Sequence, residues 1–199
     1  DPRALAKITA MGVEVATGKA RPTDDGCPDD TDAAYLITGI LPSAGQVVCA
    51  RFLKAPHPGD AGGGGGKLIV GDCVFVSSSD GVRPRNDRLG EVPCAEEGWF
   101  AQILATAPDK AGCPADQTLS RVAIPGRTDV VLCLGQGDRG LIAKPGECLR
   151  LANNAYLPPS RVDCASSNGL LRVEGFADAA GKCPQGQRAV QATGYDRPL

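Results

Sequence analysis

The sequence predicts a mostly β protein built of tandem small modules, each of about five strands and stapled by disulfides. Three observations carry this expectation. Nine cysteines are spread through 199 residues at wide, similar spacings. A Cys-Pro pair occurs three times, at Cys27-Pro28, Cys113-Pro114 and Cys183-Pro184. Between the cysteines, short apolar runs alternate with turn residues, and no convincing long helix stands out.

The cysteines come first, because the rest of the composition is thin. Aromatic residues make up 4% of the chain, with one Trp and four Phe. Small domains with so little bulk in the core need another source of stability. Disulfides supply it in oxidising compartments and are rare in the cytosol. Zinc sites prefer close pairs such as C-x2-C, and here the nearest neighbouring cysteines are Cys133 and Cys148. The C-x-x-C redox motif is absent too.

Aligning the Cys-Pro pairs brings the whole chain into register. Each repeat has up to four cysteine stations. Station one is Cys73 or Cys148, after Gly-Asp or Gly-Glu. Station two is Cys94 or Cys164, and station three is Cys27, Cys113 or Cys183, always before Pro. Station four is Cys49 or Cys133, each after two apolar residues. Stations two and three of the last two repeats are each offset by 70 positions (183 − 113 and 164 − 94).

Only the central repeat is complete. The first lacks stations one and two, and the last lacks station four. This is the pattern expected of a window cut from a longer array, or of degenerate terminal repeats. The boundaries that follow are 1–53 for a partial first module and 54–67 for a Pro/Gly-rich linker. The complete second module spans 68–138. Residues 139–199 form a third module lacking its last cysteine strand. The linker, KAPHPGDAGGGGGK, reads as flexible.

The expected strands follow in order: Ile8–Val15, Val74–Val76, Phe100–Leu104, Leu119–Ile124, Val130–Leu134, Leu170–Phe176 and Arg188–Gly194. Asp116–Leu119 has room for one helical turn. A proline after cysteine fixes one backbone dihedral and suits a turn or strand entry. Trp99 and Phe100 are neighbours, so on a strand one should enter the core and the other face outward. Packing is the expected role, with a partner-binding anchor as the alternative.

Local economy favours joining station one to two and three to four. Closing a loop of roughly 20 residues contributes on the order of 3 kcal/mol through chain entropy. The expected bonds are Cys27–Cys49, Cys73–Cys94, Cys113–Cys133 and Cys148–Cys164. Cys183 is left over, free or bonded to another chain. Sequence alone does not fix this connectivity.

These stations resemble the LppU-like domains, small cysteine-paired modules of actinobacterial envelope lipoproteins and secreted proteins. The matching residues are Gly71, Asp72, Cys73, Cys94, Cys113, Pro114, Leu132, Cys133 and Leu134 in the central repeat. In the last they are Gly146, Glu147, Cys148, Cys164, Cys183 and Pro184, with Gly-Glu in place of Gly-Asp. The resemblance implies an extracytoplasmic location and supplies no activity.

Other motifs read as structural. Gly62–Lys67 is not a phosphate loop, because Ala61 stands at its first glycine and Leu68 replaces the Ser/Thr that holds magnesium. Asp24, Asp25, Asp29, Asp30 and Asp32 crowd one stretch without EF-hand spacing, and a solvated turn is preferred to calcium. His57, the only histidine, lies between two prolines in the linker, a poor place for a catalytic base. Ser77–Ser79 therefore has no base and reads with Asp80-Gly81 as a hairpin loop. Glu96 and Glu97 read as an exposed turn.

With 21 Lys+Arg against 23 Asp+Glu, the chain lacks the basic excess of a nucleic-acid binder. No apolar run is long enough to span a bilayer. The expectation is a non-catalytic extracytoplasmic binding or structural repeat protein of the cell envelope, in a larger array or filament. The alternatives are a sensor or accessory ectodomain of a membrane-anchored protein, and a secreted hydrolase or hydrolase inhibitor. No catalytic, cofactor or metal residue is assigned. The expected partner is a protein or envelope component, and self-association is allowed.

Overall fold

A computed structural model describes residues 6–16, 27–38, 44–65, 67–76, 89–124, 129–153, 157–166, 170–177, 182–183 and 187–199. Among the described residues the regular structure is β apart from a 3-10 turn at Lys110–Gly112. The strands are β1 (Ala6–Ala16), β2 (Ala33–Thr38), β3 (Ala44–Phe52), β4 (Cys73–Val76), β5 (Leu89–Val92) and β6 (Ala101–Ala107). They continue with β7 (Ser120–Ala123), β8 (Val131–Gly135), β9 (Cys148–Arg150), β10 (Ser160–Val162) and β11 (Leu170–Arg172). The first sheet has order β1-β3-β2, the second β5-β4-β6-β8-β7 and the third β10-β9-β11. The chain divides into two compact units, Asp1–Asp72 with Glu91–Ala95, and Cys73–Gly90 with Glu96–Leu199.

The burial of each strand follows from its residues. In β6 the buried positions alternate over the first half, as a half-buried strand requires. The apolar run of β8, Val131–Gly135, is buried at every position and lies between β6 and β7. Ile103, Leu132 and Leu134 are closed to solvent, each burial contributing about 1.5–3 kcal/mol. In β3, Val47, Val48, Cys49 and Ala50 are buried in succession.

The first and second sheets share a register around their cysteine strand. In the first, Cys49 faces Ala10 on one side and Ala34 on the other. In the second, Cys133 faces Ala105 and Arg121. The ladder is irregular just beside the cysteine in both, between Ile8 and Ala10 and between Ile103 and Ala105. The second and third sheets share a register at their other end. Cys73 faces Gln102, and Cys148 faces Arg172.

The Gly-Asp-Cys and Gly-Glu-Cys motifs build the same turn. Gly71 and Gly146 have φ of 100° and 92°, the left-handed region that glycine enters without penalty. Asp72 N–H donates to Ile69 O, and its carboxylate accepts from Ile69 N–H at 2.6 Å. Glu147 N–H donates to Lys144 O, and its carboxylate accepts from Lys144 N–H at 3.0 Å. An acid at this position closes the turn that leads into β4 or β9, so the longer side chain of Glu147 is no departure in function.

Several expectations need correction. Trp99 and Phe100 are both buried, at 4% and 1% exposure. They precede β6, so strand alternation does not apply to them. Gly140 makes room for the indole, since a Cβ there would lie 2.7 Å from the ring. A 3-10 turn not expected from the sequence lies at Lys110–Gly112, where the Asp109 carboxylate accepts from Ala111 and Gly112 N–H, and after the Cys-Pro a single turn closes where Thr118 N–H donates to Pro114 O at 3.1 Å, overlapping the turn expected at Asp116–Leu119. The strand expected over Leu170–Phe176 stops at Arg172, and Arg188–Gly194 carries no strand. A strand needs a paired neighbour, and the third sheet ends at β11 where the second continues into β8 and β7.

Candidate functional site

Eight of the nine cysteines are disulfide-bonded. Cys27 joins Cys49, Cys113 joins Cys133, and Cys148 joins Cys164, with Cα atoms 5.6, 5.5 and 5.1 Å apart. Cys73 and Cys94 are also disulfide-bonded. Cys183 is free and half-buried. The Cys27–Cys49 and Cys113–Cys133 pairs each belong to a small apolar cluster. Cys27, Val47 and Cys49 pack with Ala34, while Ala107, Cys113, Val131 and Cys133 pack with Ala105.

The Gly-rich stretch expected as a flexible linker is instead a folded loop held by carboxylates. The Asp32 side chain is fully buried and accepts from Phe52 N–H at 2.7 Å and Gly59 N–H at 2.9 Å. It also faces His57 Nδ1 at 3.0 Å and Arg51 Nη1 at 3.2 Å. Burial alone would push the Asp32 carboxyl up. The His57, Gly59, Phe52 and Arg51 contacts outweigh it and hold the group below its ordinary value. His57 is therefore ordered, contrary to expectation, and it is oriented by a carboxylate already committed to the loop backbone.

Asp72 accepts from Gly62 N–H at 2.8 Å, and Glu91 from Gly64 N–H at 2.9 Å. Burial raises both carboxyls, against the backbone N–H groups that favour the ionised form. Glu91 is pushed up to about 7, helped by the nearby Asp72 charge. Glycine is required here by space. A Cβ at Gly59 would lie 2.4 Å from Thr31 O, and one at Gly65 would lie 2.2 Å from Pro58 O. Lys67 completes the loop with bonds to Asp29 and to Cys27 O. Asp29 and Asp30 are exposed, and Asp24, Asp25, Ser77–Ser79, Asp80 and Gly81 lie outside the described residues. No metal-ligating cluster occurs among the described residues. Glu96 and Glu97 are exposed.

A groove of about 660 Å³ opens beside the third sheet. Leu149, Leu171, Val173, Cys183, Val190 and Leu199 line it. Ala143, Leu149 and Val173 form the cluster beneath, with Leu199 packed against them. Its far wall is held by Val190 and Leu199, which exchange two backbone hydrogen bonds of 2.8 and 2.9 Å. Cys183 Sγ lies 4.0 Å from Leu199 O. The groove thus combines the last described strand of the third sheet, an apolar floor and a free thiol. Sequence reasoning singled out Cys183 as unpaired but missed the groove.

A buried anchor holds this region to the second sheet. Tyr195 is fully buried, meets Phe100 edge-on at 5.7 Å, and accepts from Ala143 N–H at 2.8 Å. Burial pushes its phenol up to about 12, and the Glu147 charge adds to this. Glu147 itself is held below its ordinary value. Burial opposes this, but Lys144 N–H, Gln136 and Arg161 more than offset it.

No protein-family model, curated protein or solved structure matches the chain.

Proposed function

We propose that this chain is an extracytoplasmic binding or structural protein of tandem disulfide-stapled β repeats, acting by presenting strand edges to a protein partner in the cell envelope. The observation that carries this reading is the edge of β11, which ends its sheet beside an apolar groove. Exposed edges are aggregation hazards that folds normally blunt or cover, and they are also the means by which sheets bind strands. Eight bonded cysteines support the compartment, because such bonds persist where the medium is oxidising. The shared registers around Cys49 and Cys133, and around Cys73 and Cys148, support the repeat reading. The resemblance to LppU-like domains agrees with an envelope location.

The test is folding by compartment. Directed to an oxidising periplasm, the chain should accumulate folded with eight cysteines blocked to alkylation. Held in a reducing cytosol, it should be protease-sensitive. A folded, protease-resistant chain with free thiols in the reducing compartment would refute the reading.

A further inference from the structure

We propose that the Gly-rich loop is a cover over the disulfide of Cys94, held shut by Asp72 and Glu91 and loosened when both acids are ionised. The device goes beyond the binding role above and needs no partner.

The loop lies directly on the cysteine. Gly62, Asp72, Glu91 and Cys94 all belong to the first compact unit. Cys94, which is disulfide-bonded, donates its N–H to Gly62 O at 2.9 Å. A Cβ at Gly62 would lie 3.0 Å from Cys94 Sγ, and one at Gly64 would lie 2.7 Å from the Pro93 ring. Both residues have left-handed φ, 78° and 88°, so glycine serves the turn and the close approach together. Gly71 O lies 3.5 Å from the same sulfur, and a Cβ at Gly71 would meet Ala61 Cβ at 3.0 Å. Cys94 is half-buried, and a loop that lifts away exposes the sulfur it now touches. Access to the sulfur is one of the factors that set the rate of disulfide cleavage.

The acids that fasten the loop sit close together. Asp72 is 1% exposed and accepts from Gly62 N–H at 2.8 Å and Ile69 N–H at 2.6 Å, one through each oxygen. Glu91 Oε1 accepts from Gly64 N–H at 2.9 Å. Its Oε2 is closed to solvent and has no hydrogen-bond partner. The N–H groups so held are two residues apart, which brings each carboxyl within reach of the other's charge. Asp72, with two donors, is the acid that keeps its charge. A bare buried oxygen is tolerable on a neutral carboxylic acid and costly on a carboxylate beside another. Ionised Glu91 is relieved by moving into water, and its hold on Gly64 goes with it.

The neighbouring charges do not offset the pair. In the loop, His57 bonds Asp32, Asp60 bonds Arg51, and Lys67 bonds Asp29 and Cys27 O. Asp30, Glu96 and Glu97 are exposed. β5 has no charged residue besides Glu91, and its neighbour β4 has none. Closing the loop therefore takes up a proton. Glu91 stands at about 7 in the closed loop against an ordinary 4.5. The cover is firmest below about pH 4.5 and loosens as pH rises through about 7.

The test uses the whole oxidised chain and tris(hydroxypropyl)phosphine. The phosphine is oxidised to its oxide, with water supplying the oxygen, as a disulfide becomes two thiols. Thiols are trapped with N-ethylmaleimide and located by peptide mass. The readout is the initial rate at Cys94 divided by that at Cys164, the exposed cysteine of the Cys148–Cys164 bond. The ratio cancels the pH dependence of the reductant. It should rise about tenfold from about pH 5 to about pH 8, below the ceiling of about tenfold per pH unit set by linkage. In Glu91→Gln, whose neutral side chain still accepts from Gly64 N–H, it should stay low throughout. In Gly62→Ala, whose methyl pushes on Cys94 Sγ, it should already be high at about pH 5. Amide exchange at Gly62 and Gly64, relative to Glu91→Gln, should speed up over the same range. A wild-type ratio unchanged with pH overturns the proposal, and so does an equal rise in Glu91→Gln. A Gly62→Ala ratio as low as wild type at about pH 5 overturns the cover itself. The wild-type series needs no variant, so a folding failure in either one still leaves it decisive.

Discussion

The second and third sheets begin alike and end differently. Each starts with a strand opening at a cysteine, β4 or β9, flanked by two neighbours, β5 and β6 or β10 and β11. The second sheet then adds β8 and β7, and Cys113 finds Cys133. The third stops at β11, and Cys183 stays free beside a groove. The difference teaches that the strand, not the thiol, completes the fold. A cysteine after the turn becomes a staple only when a central strand brings its partner to bonding distance, which for these side chains means Cα atoms within roughly 7 Å.

The sharpest way to break the comparison is to make the second sheet resemble the third. Cys133→Ser should cost about 2–5 kcal/mol, because the unfolded state regains the loop freedom that the bond removed. Cys183→Ser should change stability by no more than about 0.5 kcal/mol, since no bond is lost. Chemical denaturation of both variants gives the ratio, and equal losses would show that Cys183 already carries structural weight.

The next largest effect concerns the joint between the two sheets. Gly194 has φ of 86°, and a Cβ there would lie 2.6 Å from the Phe100 ring. Gly194→Ala should therefore destabilise by about 1–3 kcal/mol through overpacking, added to backbone strain. Thermal unfolding followed by the fluorescence of Trp99 reads it directly, and an unchanged midpoint would mean that Phe100 moves freely. Tyr195→Phe keeps the edge-on ring contact but strips the acceptor from Ala143 N–H. The expected loss is about 1–3 kcal/mol, with faster exchange of the Ala143 amide as its signature.

The smallest expected effect is in pH, where Glu91 and Glu147 respond with opposite sign. Glu91 is raised from an ordinary 4.5 to about 7, so the folded state holds its proton more tightly than the unfolded state. Its contribution is full below about pH 4.5 and is lost as pH rises through about 7. Glu147 is lowered, so its contribution is present above its ordinary value and is lost as pH falls through the folded one. Glu91→Gln should flatten the decline between pH 4.5 and 7. Amide exchange at Gly64, whose N–H the Glu91 carboxyl accepts, is the local readout. An unaltered slope in the variant would assign the decline to another group.

Some of this was legible in the residues themselves. The β class could be read from runs such as Val130–Leu134, because alternation and apolar density are local properties. The unpaired state of Cys183 came from counting. The Gly-Asp-Cys and Gly-Glu-Cys turns were visible as a motif, though not their mechanism, in which the acid bonds the backbone three residues back. The Gly-rich loop was misread because composition reports how freely a chain could move, not what holds it. Asp32, Asp72 and Glu91 hold it from 27, 10 and 27 residues away in sequence, separations that no local pattern reveals.

By itself, then, the sequence determined the β class, the disulfide chemistry and the offset that relates Cys113 to Cys183. These depend on spacing and on side-chain type, which the chain carries along its own length. The tertiary structure alone decided that Trp99 and Phe100 are both buried, that His57 is fixed by Asp32, and that a groove lies along β11. Those outcomes depend on which strands find partners. Partnership is a property of the assembled sheet: β8 lies between β6 and β7, while among the described residues β11 is the last strand of the third sheet.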